Sequence, residues 1–352
     1  MFPVLFSVPE ASAWIAALAL FALGGLFAWF GRKAPADKGS WWLAGLCGAG
    51  AIAVLAYFGT AGKIGPLPIR MFGVLVILGF LAGARAASAR NKRLGLLGGD
   101  ESFDLAFNLL LVGIVGARIV HVAQNMGNYE GRPLEMFKIW DGGLVWYGGA
   151  IAATLWAWWS LARRKRDIWA VSDSLALGVT LGHAIGRLGC FAAGCDYGKR
   201  VPVAEGETAP WWAVSYPKGE MNPKIDNILV PPEMRYDAEN DLDVYLHPTQ
   251  LYLVLFNLAC FAILLFVDRK LTKGAFPGRL AAMYLMLYAV GRATLETFRG
   301  DEDRGVYFGG ALSFSQVVSV LVFFGGFALW RALRSRRGAA SSPPAAPAAP
   351  AV

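Results

Sequence analysis

Residues 186–198 read Gly-Arg-Leu-Gly-Cys-Phe-Ala-Ala-Gly-Cys-Asp-Tyr-Gly and close a long apolar segment. The guanidinium of Arg187 therefore stands at the edge of a stretch otherwise suited to lipid. Placing an arginine in hydrocarbon costs about 2.5 kcal/mol or more, so such a residue marks a functional site by default. Glycines at 186, 189, 194 and 198 let backbone N–H groups come close to a ligand. An arginine beside a glycine-rich turn suits an anion, and the apolar setting points to a phospholipid headgroup.

Other apolar segments carry comparable groups. Residues 102–124 include Asp104, Arg118 and His121; residues 168–190 include Asp173, His183 and Arg187; residues 276–298 include Arg292 and Glu296, with Arg299 just beyond. Separations of three or four place each Arg and its partner on one helical face. Arg118, Arg187, Arg292 and Arg299 outnumber the nearby carboxylates Glu296 and Asp301. Surplus guanidinium groups facing a bundle interior need an anion, and a phosphodiester supplies one through paired hydrogen bonds. Glu296 reads equally well as a structural ion-pair partner of Arg292, and His183 as a hydrogen-bonded core residue.

Two helix starts add candidates. Trp140-Asp141-Gly142-Gly143-Leu144-Val145-Trp146-Tyr147-Gly148-Gly149 leads into an apolar helix, and glycines at a helix N-terminus offer donors to an anion. Trp146 and Tyr147 also fit an aromatic belt at the membrane surface. His247-Pro248-Thr249-Gln250-Leu251-Tyr252 opens another helix, with Pro248 suited to its first turn. His247 is placed either to cap that helix or to exchange a proton near neutrality.

The elements that must position these groups are membrane helices. The 352 residues are 56% hydrophobic and 16% charged, with mean hydropathy +0.46. Segments of roughly 20 apolar residues span a bilayer. Nine occur, near 11–30, 41–59, 67–88, 102–124, 142–162, 168–190, 248–267, 276–298 and 313–332. The net charge of +8 is concentrated in alternate loops, at 32–38, 90–93, 163–166, 269–273 and 331–337. That distribution sets the N-terminus outside and the C-terminus in the cytoplasm, and leaves no basic stripe for nucleic acid. The first apolar run lacks a preceding basic region and reads as a retained helix.

The expected fold is thus an all-α polytopic membrane protein of about nine transmembrane helices. Residues 194–247, Pro-rich and polar, are expected to form a small periplasmic head. Residues 333–352, rich in Ala, Pro and Ser towards the end, read as a disordered cytoplasmic tail. There is no strong internal repeat of the kind that marks many transporters. Cys47 and Cys260 lie in apolar segments as packing residues. Cys190 and Cys195 can close a small disulfide, while too few ligands stand nearby for a metal site.

In this order the motifs resemble those of the prolipoprotein diacylglyceryl transferase family. The resemblance rests on Trp140-Asp141-Gly142-Gly143, Gly148-Gly149, Gly186-Arg187-Leu188-Gly189, Phe191, Gly194, Gly198, His247 to Tyr252, and Arg292 with Glu296. It covers about residues 67–332 and implies a seven-helix core, leaving residues 1–66 as two extra N-terminal helices. It implies transfer of a diacylglyceryl group from phosphatidylglycerol to the lipobox cysteine of a prolipoprotein, with no metal or organic cofactor. Arg187 and Arg292 take the places of the family's essential arginines. Tyr147 stands where the family has His; Cys190, Ala193 and Cys195 replace Asn, Asn and Glu; Phe72 replaces Tyr; and Leu253 replaces Glu. The catalytic set expected from the resemblance is Arg187, Arg292 and Tyr147. Arg187, Gly189, Gly198, Arg118, Gly148, Gly149, His247 and Glu296 are expected to bind substrate. The protein is expected to act as a monomer in the bacterial inner membrane. The other reading is a divergent phospholipid-binding paralogue without catalysis or with another acceptor.

Overall fold

The structure is a computed structural model. It describes residues 4–8, 11–12, 63–64, 67–139, 142–203, 207–216, 230–237, 242–300, 306–307 and 312–340. The described residues fall into two compact units. One draws on Met1–Ile77, Leu188–Cys195 and Ser215–Tyr245, the other on Leu78–Arg187, Asp196–Val214 and Leu246–Val352.

Among the described residues there are seven long helices: α1 Met71–Arg93, α2 Gly99–Gln124, α3 Trp146–Arg163, α4 Ile168–Ala193, α5 Thr249–Lys270, α6 Arg279–Leu295 and α7 Phe314–Ala340. Five of them, α1, α2, α4, α5 and α7, are long and apolar enough to cross a membrane. They follow the last seven apolar segments of the sequence. The first two segments, 11–30 and 41–59, lie outside the described residues except for Ala11–Ser12.

Local chemistry explains the helix ends. The last turn of α1 carries Arg90, Lys92 and Arg93, and the first turn of α2 carries Asp100 and Glu101. Both placements oppose the helix dipole. Before α4, the Asp167 carboxylate accepts the N–H groups of Trp169 and Ala170, each at 3.0 Å, as a side-chain cap. Before α7, Ser313 and Gln316 exchange bonds: Ser313 N–H donates to Gln316 at 2.9 Å, and Gln316 N–H donates to Ser313 Oγ at 3.3 Å. This is a capping box with Gln in place of Glu. Pro248 sits at the N-cap of α5, one residue before the first turn expected for it.

The described residues are mainly helical, as expected, with short strands at the margins. Four short antiparallel pairs accompany the helices: β1 Val4–Val8 with β4 Leu67–Arg70, β2 Ala11–Ser12 with β3 Lys63–Ile64, β5 Tyr236–Asp237 with β6 Leu242–Asp243, and β7 Val306–Tyr307 with β8 Leu312–Ser313. Residues 67–70 are therefore strand, and α1 starts only at Met71. Pro68 explains this: it lacks an N–H and biases Leu67 towards extended backbone. Residues 194–247 do not make a unit of their own, because their described residues divide between the two units.

Within the larger unit, glycines set the closest crossings. A Cβ at Gly178 would lie 2.6 Å from the Gly83 carbonyl, and one at Gly182 would lie 2.9 Å from that of Gly79. The α1–α4 crossing is thus a small-residue contact, as membrane helices favour. Two apolar clusters, Leu97/Leu105/Leu161/Val171 and Leu177/Leu264/Val267/Leu280, pack at the helix ends that carry the basic loops. The site described next lies at the opposite ends.

Candidate functional site

Arg187 lies near the end of α4. Its Nε donates to Nε2 of His183, one turn earlier, at 3.1 Å, and its Nη1 pairs with Asp196. The other oxygen of Asp196 accepts Nη2 of Arg299 at 2.6 Å. One carboxylate therefore bridges two arginines from distant parts of the chain. Asp196 has φ +56°, a conformation that Asp tolerates better than most residues. Its carbonyl accepts the Thr249 hydroxyl at 2.6 Å, which ties this turn to the start of α5. Burial alone would raise the Asp196 pKa, but Arg187 and Arg299 outweigh it and hold the carboxyl below its usual range.

The segment bearing Arg299 is stitched to the same turn. Lys199 N–H donates to Phe298 O at 2.9 Å, Gly300 N–H to Tyr197 O at 3.0 Å, and His247 N–H to Lys199 O at 3.0 Å. Three backbone strands pass so closely that a Cβ at Gly198 would lie 2.2 Å from the His247 carbonyl, and one at Gly300 would lie 2.5 Å from the Gly198 carbonyl. Glycine is required here by space.

Arg292 occupies the last turn of α6. Its Nη2 pairs with Glu296 at 2.9 Å and donates to the Ser315 hydroxyl, at the start of α7, at 3.0 Å. Nη1 of Arg292 is buried and meets no acceptor among the described residues. Glu296 is 2% exposed, and Arg299 Nη1 stands 4.0 Å from it. Tyr147, at the start of α3, packs edge-on against Phe314 with ring centres 5.8 Å apart. It lies within electrostatic reach of Tyr288, Arg292 and Glu296. His183 lies within reach of Arg187, Arg292 and Asp196. Arg187, Arg292 and Arg299 thus face Asp196 and Glu296.

The other residues singled out in the sequence have contacts of their own. Arg118 is 8% exposed, and its donors go to backbone carbonyls: Met136 at 2.7 Å, Glu135 at 2.9 Å, Gly142 at 2.7 Å and Gly143 at 3.2 Å. It holds the loop before α3, where Gly142 and Gly143 take φ of +87° and +73°. Gly148 and Gly149 mark the α2–α3 crossing, where added Cβ atoms would lie 2.5 Å from Gly116 O and 2.8 Å from Gly113 O. Gly189 packs against Phe72, whose backbone oxygen an added Cβ would approach to 3.2 Å. His247 stacks on Trp212 at 4.9 Å, and its Nδ1 is 3.2 Å from the Tyr252 hydroxyl. Partial burial and then Lys199 hold its pKa below the usual histidine value.

Sequence reasoning missed Asp196 and Ser315. Asp196 directly follows Cys195, the position where the resemblance led one to look for a carboxylate. The surplus of arginines was the signal that an acid had to lie close by.

A family model for prolipoprotein diacylglyceryl transferase matches residues 60–332. A protein of Mycolicibacterium paratuberculosis named phosphatidylglycerol–prolipoprotein diacylglyceryl transferase is 32% identical over 284 residues, 77% of this chain and 62% of that protein. Proteins of the same name from Mycobacterium leprae (strain TN) and Prochlorococcus marinus (strain NATL1A) are 32% and 30% identical. They cover 74% and 78% of this chain, and 76% and 90% of their own lengths. The chain spans about three-fifths of the M. paratuberculosis relative.

Proposed function

The chain belongs to the prolipoprotein diacylglyceryl transferase family, and on that premise we propose that it moves the diacylglyceryl group of phosphatidylglycerol onto the lipobox cysteine of prolipoproteins. The observation that carries this reading is the cluster of Arg187, Arg292 and Arg299, in which the buried Nη1 of Arg292 meets no acceptor among the described residues. A phosphodiester is the anion that such a cluster is suited to hold.

In the reaction the cysteine sulfur attacks the glycerol carbon that bears the phosphate oxygen. The C–S bond forms, the C–O bond breaks, and its electron pair leaves with glycerol phosphate. Arg187 and Arg292 bind the phosphate and stabilise the charge that develops on it. The buried Nη1 of Arg292 is the donor available for that contact. Asp196, Glu296 and Ser315 hold the three guanidinium groups in place. Tyr147 orients the headgroup from the start of α3, and Arg118 keeps the loop before that helix in position.

A free cysteine thiol has a pKa of about 8.5, so a base and a positive field assist its ionisation. His183 is engaged as the acceptor of Arg187, and a phenol, ordinarily of pKa near 10, is a poor base. His247 is neutral at pH 7 and is assigned the thiol proton. The enzyme is proposed to work as a monomer in the bacterial inner membrane, with nine crossings, the N-terminus outside and the C-terminus in the cytoplasm.

The test is an assay of the purified full chain with phosphatidylglycerol and a peptide containing one lipobox cysteine. A diacylglyceryl gain in peptide mass with release of glycerol phosphate, absent for a Cys→Ser peptide, is expected. No gain from folded protein beside an active relative would contradict the reading and favour another acceptor.

A further inference from the structure

We propose that Cys190 and Cys195 are a disulfide-forming pair that staples the C-terminal turn of α4. Gly194 takes φ +72°. Its N–H donates to the Phe191 carbonyl at 3.3 Å, and the N–H of Cys195 donates to the Cys190 carbonyl at 3.2 Å. These two bonds define a Schellman motif with Gly194 in the left-handed position. That motif sets the side chain three residues before the cap against the one that follows the glycine, usually as an apolar contact. In this chain both places hold cysteine.

The side chains confirm that they face each other. The two sulfurs lie within 4.8 Å, and Sγ of Cys195 is 3.7 Å from the Cys190 carbonyl oxygen. Both are thiols and half-buried, whereas Cys260 is a thiol buried within α5. A disulfide needs the sulfurs at about 2.05 Å, which side-chain rotation supplies while the two hydrogen bonds hold the backbone. The staple sits directly before Asp196 in the chain, the residue that bridges Arg187 and Arg299. Covalent closure thus substitutes for the polar side chains that the family places at 190 and 195.

Oxidation proceeds by thiol–disulfide exchange with an external protein disulfide or oxidised glutathione. One thiolate attacks that disulfide and expels a thiolate. The second thiolate then attacks the mixed disulfide, which completes the Cys190–Cys195 bond and leaves the partner as two thiols, having taken up the two electrons and the two protons that the cysteines gave up. In the cell this rests on the outward placement proposed above, since an outer compartment is the oxidising one.

The test uses the purified full chain, equilibrated with oxidised glutathione or with dithiothreitol, then acid-quenched, denatured, treated with N-ethylmaleimide and digested with trypsin. After glutathione, the peptide Leu188–Lys199 is expected without maleimide and two hydrogens lighter than the dithiol. After dithiothreitol it is expected with two maleimides. Two maleimides after glutathione, a stable glutathione adduct, or a link to Cys47 or Cys260 would overturn the pair. The readout involves no lipid transfer, so it fails independently of the transferase reading. A dithiol in quenched cells, beside a disulfide formed in vitro, would contradict the outward placement.

Discussion

The two ends of α4 carry the same residue types to different ends. Near its start, Asp173 accepts the N–H groups of Gly278 at 3.0 Å and Ala281 at 2.9 Å, and so caps α6. Arg90 stands 3.6 Å from Asp173 and pairs with Asp268 at 2.9 Å, and Arg93 also pairs with Asp268. Arg90 donates further to Ala170 O at 2.8 Å and Ser174 Oγ at 3.0 Å. Arg90 and Arg93 meet two carboxylates, and the buried Arg279 gives its donors to the carbonyls of Leu271 at 2.7 Å and Val267 at 3.0 Å. About 21 Å further along the helix, at 1.5 Å per residue, three arginines meet two carboxylates and a guanidinium nitrogen of Arg292 lacks an acceptor among the described residues. Bonded guanidinium groups mark the end that holds the helices together. The buried Nη1 of Arg292, with no acceptor among the described residues, marks the end proposed above to hold the phosphate.

Substitutions at the two ends should therefore fail in different ways. The largest effect is expected from Arg187→Ala: transfer falls by at least about a thousand-fold, while the melting temperature of the purified protein changes little. Asp268→Ala should do the reverse, removing about 3 kcal/mol of stability by taking away the carboxylate that Arg90 and Arg93 share, as read by thermal unfolding in detergent. A stable Asp268→Ala protein with lost transfer would break the comparison.

His247→Gln should lower kcat by about a hundred-fold or more. Its pKa lies below the usual value, so the wild-type acid limb of kcat should fall below about pH 6.5, and the variant should lose that limb. Asp196→Asn should lower transfer about ten-fold, as expected for a residue that positions arginines. The folded-state pKa of Asp196 is depressed, so its stabilisation is present above the unfolded value of about 3.9 and is lost as pH falls through the folded value. The melting difference between wild type and Asp196→Asn should accordingly shrink on acidification below pH 4. Gly148→Ala should be the mildest, costing about 1–3 kcal/mol by overpacking against Gly116 with kcat per folded molecule retained.

Much of this was legible in the sequence because membrane helices announce themselves by length and hydropathy. The seven helices from Met71 onward follow the apolar segments closely, and the misplaced start at 67 reflects a proline within an apolar run. Arg187, Arg292 and Glu296 were legible because spacing on a helix fixes a shared face. Asp196 was not, since a loop residue reaches Arg299 only through strand pairing more than a hundred residues apart. Arg118 looked like its counterparts in sequence, but its acceptors are carbonyls, which carry no signature in residue type. The same holds for Gly148 and Gly149, whose spacing fits both an anion site and a helix crossing.

The most direct measurement is the affinity of the purified protein for phosphatidylglycerol in detergent micelles, by titration of the wild type, Arg187→Gln, Arg292→Gln and Arg93→Gln. The account predicts at least about ten-fold weaker binding for Arg187→Gln and Arg292→Gln, in line with the loss of a charged hydrogen-bond pair. It predicts wild-type affinity for Arg93→Gln at the opposite end of α4. Equal binding by all four proteins, or a loss confined to Arg93→Gln, would contradict the claim that the arginines at the Arg187 end hold the phosphate.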